Sequence, residues 1–121
     1  MDANAVDKAL QLLVEKRTEL AALDYSNPKY DDLEEQLHDM EDDFQDEFGV
    51  DLEKVLQIVH DKHCPDNDVL LPIAYMGDGV PVELEGSPQK EARLILEPAP
   101  LRIILKTGKD KNEVVWERDK Q

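Results

Sequence analysis

The chain is 121 residues long and carries a formal charge of −15 at pH 7, from 29 acidic residues against 14 lysines and arginines. Its length is typical of one domain, and its 40% content of apolar residues is enough for a hydrophobic core. A charge of this sign repels nucleic-acid phosphates and anionic lipid headgroups and favours basic partners or cations, so direct binding to DNA, RNA or a membrane is not expected.

Apolar residues near the N-terminus recur three and four positions apart, which is the spacing of an amphipathic helix. We predict a first helix over residues 4–24, with Lys16 and Arg17 on its outside. The periodicity then breaks at Asn27, a suitable N-cap, and Pro28, which suits the first turn of a second helix. The short connection between two long amphipathic helices predicts an antiparallel hairpin.

The predicted second helix runs to about Phe48 and combines an apolar seam with a strongly acidic exterior. Its seam residues are Tyr30, Leu33, Leu37, Met40, Phe44 and Phe48. Twelve acids and no lysine or arginine lie between Asp31 and Glu53. Five of these acids are candidate residues for binding a basic partner: Asp39, Asp42, Asp43, Asp46 and Glu47. The ordinary explanation for such a charge run is a solvated face that confers solubility.

A third helix is predicted over the next stretch. Gly49 is placed as the stop of the second helix, and Asp51 can cap the third, with Val50 and Val55 positioned as a hydrophobic staple. A proline follows Cys64, so the helix is expected to end there. Its inner face is predicted to hold Leu52, Val55, Leu56, Val59 and His63.

Beyond residue 65 the apolar residues alternate with polar ones, as in half-buried antiparallel strands. The predicted strands are residues 80–85, 92–97, 101–106 and 114–117, with a hairpin turn at 108–112. The apolar stretch 69–76 is expected to be buried, and Pro72 makes it an edge strand or a packed loop. The second face of the sheet is predicted to carry a mixed apolar and basic set, which makes it a candidate contact surface: Arg93, Ile95, Arg102, Ile104, Lys106 and Val115.

Three helices followed by four or five strands predict a single α+β domain over residues 1–121, with the helices packed on one sheet face. Residues 1–64 form its helical half and residues 65–121 its β half. The helical half has 18 acids and 6 bases, whereas the β half has 11 acids and 8 bases. The negative charge is therefore concentrated on the helices.

His60, His63 and Cys64 form the densest cluster of potential metal ligands. His60 and Cys64 are four residues apart and share a helix face, so a zinc site is geometrically possible. Structural zinc sites usually combine two separated ligand pairs, whereas this chain has one cluster. The simpler interpretation is a helix end with His63 partly buried and His60 exposed.

Other candidate chemistry is weaker. Glu35 and His38 have the Glu-x-x-His spacing of di-iron bundles, but both lie outside the apolar seam and a second such motif is absent. Cys64 sits at a helix C-terminus, which disfavours a reactive thiolate, and no oxyanion-stabilising element accompanies it. The aspartates at positions 66 and 68 lack the glycine and the closing glutamate of a calcium loop. We therefore expect neither enzymatic activity nor a cofactor.

The expected location is the cytoplasm, because the chain shows no signal-peptide pattern, no apolar run long enough to span a membrane and only one cysteine. The leading hypothesis is a non-enzymatic adaptor or chaperone-like protein whose acidic helical face engages a basic partner. A homodimer is expected, since helices with narrow apolar seams often pair with a second copy. Two alternatives stay open: a metal- or ligand-binding protein using His60, His63 and Cys64, and an acidic mimic of nucleic-acid charge.

Overall fold

A computed structural model of the chain describes residues 2–84, 87–108 and 111–118. These residues form two α-helices, a short 3₁₀ helix and a four-stranded antiparallel sheet. The elements in chain order are α1 (Ala3–Ala21), α2 (Tyr30–His63), the 3₁₀ helix (Pro72–Tyr75), β1 (Val80–Leu84), β2 (Ser87–Glu97), β3 (Arg102–Thr107) and β4 (Lys111–Glu117). The prediction of an α+β fold with helices and an antiparallel sheet is confirmed.

The first helix forms where it was predicted, but it ends at Ala21, three residues before its predicted end. The Asp2 carboxylate caps α1 by accepting hydrogen bonds from two backbone N–H groups of the first turn, at 3.1 and 3.2 Å. The buried apolar residues of α1 are Val6, Leu10 and Leu13. Arg17 was expected on the outside, but its guanidinium reaches α2 and pairs with Glu41 at 2.6 Å. This ion pair ties the two helices of the hairpin together.

The second helix is continuous over 34 residues, so the predicted division into two helices at Gly49 is wrong. Gly49 lies buried inside α2 and lacks the positive φ angle of a helix stop. A row of buried residues with four-residue spacing crosses this position: Phe44, Phe48, Leu52 and Leu56. Packing of this row outweighs the about 0.5–1 kcal/mol that an interior glycine costs. Consequently Asp51 does not begin a helix, and Val50, which is 66% exposed, forms no staple.

The ends of α2 agree with the sequence to within two residues. The helix begins at Tyr30 instead of Pro28, and Asn27 accepts the Lys29 N–H at 2.9 Å in the preceding turn. It ends at His63, with Cys64 as its C-cap, as predicted. At about 1.5 Å per residue α2 is about 51 Å long and α1 about 28 Å, so the second half of α2 extends beyond α1. That half packs against the 3₁₀ helix.

The four strands pair in the order β1-β2-β3-β4, each antiparallel to its neighbours. One face of the sheet belongs to the same hydrophobic core as the two helices, through Val80, Val82, Leu94, Leu96, Ile103 and Leu105. The prediction that the helices pack on one sheet face is therefore confirmed. Within the described residues, no helix is both long and apolar enough to cross a membrane.

The segment before the sheet differs from its prediction. Residues 69–76 form no strand; Pro72 opens the 3₁₀ helix instead. Tyr75 and Met76 are buried, but Leu70 and Leu71 are 47% and 52% exposed. Burial of the whole apolar stretch was therefore predicted wrongly. Leu70 and Leu71 lie on the surface, between the partly buried Val69 and the buried Pro72.

A register shift changes the second face of the sheet. β3 and β4 pair Ile103 with Trp116 but Ile104 with Val114, which leaves Val115 as an extra residue. Val115 packs against the core, and Val114, which is 44% exposed, takes the place on the second face predicted for Val115. The predicted turn at 108–112 and the predicted strand residue Glu85 fall partly or wholly outside the described residues.

Candidate functional site

The five candidate partner-binding residues lie exposed along the middle of α2. We call them the acidic face: Asp39, Asp42, Asp43, Asp46 and Glu47. With 100° of rotation per residue, Asp39, Asp43 and Asp46 lie within about 60° of one another, and the other two flank them. The five carboxylates therefore span about 140° of the helix circumference, on the solvent side of α2.

Among the residues that the structure describes, no base neutralises the acidic face. Within the described residues, none of its five side chains has an ion pair or a hydrogen bond, whereas Glu41 on the adjoining side of α2 is paired with Arg17. Like charges one helical turn apart, such as Asp39 with Asp43, cost about 0.2–0.5 kcal/mol each. The middle of a helix offers no terminal dipole to offset this cost. Within the described part of the chain, the negative charge of this face is thus uncompensated.

An open groove continues the same side of α2 toward the C-terminus. It has a volume of about 430 Å³ and is lined by Glu53, Gln57, Val69, Leu70 and Leu71. Glu53 and Gln57 lie within about 40° of Asp39 around an ideal helix. The α2 wall of the groove is therefore polar and in line with the acidic face, and the opposite wall is apolar. We call this feature the α2 groove.

A glycine and a glutamine support the polar wall. The Gln45 Nε2 group donates to the Glu53 Oε1 atom at 3.4 Å, passing over Gly49. A Cβ atom at position 49 would lie 2.7 Å from the Gln45 Cδ atom, so the glycine leaves room for this side chain. The Gln45 Oε1 atom is buried and has no hydrogen-bond partner within the described structure.

The apolar wall of the groove is anchored by a buried histidine. His60 is fully buried, with its Nδ1 atom 2.8 Å from the Asn67 carbonyl oxygen and its Nε2 atom 2.9 Å from the Tyr75 hydroxyl. A carbonyl oxygen only accepts, so Nδ1 carries the proton and Nε2 accepts from the tyrosine O–H. The hydroxyl oxygen in turn accepts the Leu70 N–H at 3.0 Å. This network holds residues 67–75 against α2 and fixes the position of Leu70.

The burial of His60 contradicts the prediction that it is exposed. The four-residue row that starts at Phe44 and passes through Leu56 has His60 as its next member, so extending the row would have indicated its burial. His63 is partly buried, as predicted. Cys64 is fully buried, and desolvation raises the pKa of its thiol.

The three residues predicted as metal ligands are close in sequence, but their side chains are not arranged to bind one metal ion. Both ring nitrogens of His60 already have protein partners. The described residues include no group of three or more histidine, cysteine, aspartate or glutamate side chains placed to hold a metal ion. A metal site at His60, His63 and Cys64 stays a prediction that this geometry does not favour. Glu35 and His38 are exposed, in keeping with their place outside the seam.

The α2 groove was not identified from the sequence, because its walls come from two segments that only the fold brings together. Comparisons with protein-family models, with curated proteins and with solved structures gave no match to this chain. Function must therefore be argued from the described surface.

Proposed function

We propose that this protein is a cytoplasmic, non-enzymatic interaction module, an adaptor or chaperone-like protein, that binds a basic partner protein through the acidic face. The observation that carries the proposal is the stripe of five exposed carboxylates with no paired base in the described residues. Concentrated charge of one sign attracts oppositely charged proteins over several ångströms and speeds their encounter.

Solubility alone is the competing explanation. A surface that serves solubility needs net charge, but it does not need that charge on one stripe. Here the stretch from Asp31 to Glu53 has no lysine or arginine. A localised stripe gives an incoming basic surface a defined place to bind, which a dispersed charge of the same size does not.

The test compares three immobilised proteins of the same chain in affinity capture from native lysate at 50 and 500 mM salt. The first is the wild type. The second has a neutralised acidic face: D39N, D42N, D43N, D46N and E47Q. The third has five exposed acids neutralised elsewhere, and therefore the same net charge: E15Q, D24N, D66N, D78N and E113Q.

The proposal expects a basic protein to be captured at low salt by the wild type and by the control variant, and to be lost from the variant with the neutralised face. Equal capture by all three proteins contradicts it, because the binding would then follow net charge or another surface. If the captured partner is a DNA-binding protein that DNA displaces, the charge-mimic version of this function is the correct one.

A homodimer is a separate part of the proposal. The apolar seams of α1 and α2 that suggested pairing with a second copy are buried within the chain itself. A dimer would therefore have to use another surface. Light scattering decides this point: a mass of twice 13.8 kDa supports the dimer, and 13.8 kDa rejects it.

A further inference from the structure

The α2 groove gives the binding surface an apolar end, and we propose that it is the docking site for a basic amphipathic helix of the partner protein. Apolar side chains of that helix enter the groove, and its lysines or arginines face the acidic face. This inference rests on the proposed function and adds to it the kind of segment that is bound.

The apolar wall is the first argument. Leu70 and Leu71 are about half exposed and lie next to each other, which gives the groove an apolar wall. The hydrogen bond from the Leu70 N–H to the buried Tyr75 hydroxyl holds this wall in place before any partner arrives. Exposed apolar groups on a preorganised support are typical of protein-binding surfaces, since little ordering is needed on binding.

The alignment of the groove with the acidic face is the second argument. Asp39, Asp43, Asp46, Val50, Glu53 and Gln57 follow one another at spacings of three and four along α2. From Asp39 to Gln57 this stripe is about 27 Å long, at 1.5 Å per residue, which is the length of about five helical turns. A straight helix of a partner can therefore contact the acidic end and the groove at the same time, in the helix-in-groove mode.

Charge complementarity is the third argument and selects the sign of the partner. Lys54 is the one lysine or arginine between Asp31 and Gln57, and it lies about 60° around α2 from both Asp39 and Gln57, so the many acids still give this side of the helix a net negative charge. The polar wall of the groove itself presents the Glu53 carboxylate opposite Leu70 and Leu71. A lysine of the partner can lay its methylene stem on the leucines and place its ammonium group near Glu53.

The experiment uses two fluorescein-labelled helical peptides with identical lysine positions, one with leucines on the opposite face and one with serines in their place. Fluorescence anisotropy measures their affinity for the full chain at low salt. The test variant is Leu70→Ser/Leu71→Ser, with Leu71→Ser alone as a milder change. The matched control is Leu12→Ser/Val114→Ser, which removes two comparably exposed apolar side chains elsewhere.

The inference expects the wild type and the matched control to bind the leucine peptide at least about tenfold more tightly than the serine peptide, as burial of one leucine implies. This preference is expected to disappear in Leu70→Ser/Leu71→Ser and to shrink in Leu71→Ser. A preference that persists in the double variant, or that the wild type lacks, overturns the inference.

The proposed function has its own readout in the same titration. Neutralising the acidic face should weaken binding of both peptides by a similar factor, whereas Leu70→Ser/Leu71→Ser should weaken binding of the leucine peptide much more than binding of the serine peptide. Unaltered binding to the neutralised face contradicts the proposed function. If the preference for the leucine peptide is missing but neutralising the acidic face still weakens both peptides, the groove inference fails and the proposed function stands.

Discussion

At the scale of single residues, one buried polar network determines where the candidate surface lies. His60, Tyr75, Asn67 and the Leu70 N–H satisfy one another's hydrogen-bonding groups without solvent. Such a network is costly when it is broken, because each remaining partner stays buried and unsatisfied. The position of the apolar wall of the α2 groove therefore depends on side chains that do not touch a partner.

The Tyr75→Phe substitution tests this network. It removes the hydroxyl that serves both the His60 Nε2 atom and the Leu70 N–H, so we expect a loss of about 1–3 kcal/mol in the free energy of unfolding. Urea denaturation measures the loss. The control is Tyr25→Phe at an 84% exposed position, where a change of at most about 0.5 kcal/mol is expected. Equal effects at both positions would contradict the network.

Burial also predicts a loss of stability at alkaline pH. Desolvation raises the pKa of the Cys64 thiol above its ordinary value of 9.0. Desolvation is also the largest cause of the rise in the pKa of Tyr75 above its ordinary value of 10.0. The unfolded chain loses these protons at the ordinary values and then binds fewer protons than the folded chain, so stability is complete below pH 9 and falls as pH rises further. Denaturation from pH 7 to 10.5 should show a shallower fall in Cys64→Ala than in the wild type. Parallel curves would contradict the prediction for the thiol.

At the scale of elements, α2 shows that local sequence patterns predict most helix and strand positions but not every helix boundary. The seams of α1 and of the first half of α2, the C-terminus of α2 and the alternation in β1, β2 and β3 are local patterns, and they were predicted correctly. Gly49 is locally a good helix stop, but tertiary packing of the row from Phe44 to Leu56 keeps the helix continuous. At this position the burial of neighbouring apolar side chains outweighed the low helix propensity of glycine.

A glycine substitution tests the continuity of α2. In a Gln45→Ala background, where the side chain above position 49 is shortened, Gly49→Ala should raise the free energy of unfolding by about 0.5–1 kcal/mol, because alanine is the better residue inside a helix. Thermal and urea denaturation of the single and double variants measure this gain. If Gly49 ended a helix with a positive φ angle, the same substitution would destabilise the protein instead.

The acidic face should be slightly destabilising to its own helix. Neutralising it in D39N/D42N/D43N/D46N/E47Q relieves like-charge pairs one turn apart, worth about 0.2–0.5 kcal/mol each, so the variant should melt at a higher temperature than the wild type. Glu41→Gln breaks the ion pair with Arg17 and should lower the melting temperature. Calorimetry at low salt compares the two. A face that stabilises α2 would reverse the first result.

The bulge in β4 and the α2 groove are non-local features that could not be predicted from the sequence pattern. The extra residue in β4 moves Val114 to the second face in place of Val115, and alternation alone cannot place a bulge. The α2 groove needs residues 69–71 to lie beside Glu53 and Gln57, which depends on the buried anchor at His60. The acidic candidates were visible in the sequence because solvent exposure follows from helical spacing. The apolar wall was not visible in the sequence, because a run of apolar residues predicts a buried segment.

At the scale of the whole molecule, charge and apolar exposure are distributed unevenly. The acidic face and the α2 groove share one side of the longest helix, whereas the second face of the sheet places Arg93 opposite Lys106 across β2 and β3. Because one side of the molecule is negatively charged and the other is more basic, basic proteins are attracted to the side of α2 that carries the acidic face. Attraction of this kind weakens as salt shortens the screening length to about 10 Å at 0.1 M.

The central claim is that one side of α2 is the binding surface, and chemical-shift mapping tests it most directly. The full chain labelled with ¹⁵N is titrated with the lysine–leucine helical peptide at low salt. We expect amide shifts confined to residues 39–57 and 69–71, and lost when the acidic face is neutralised. Shifts centred on α1 or on the second face of the sheet, or shifts unchanged by the neutralised face, would contradict the claim.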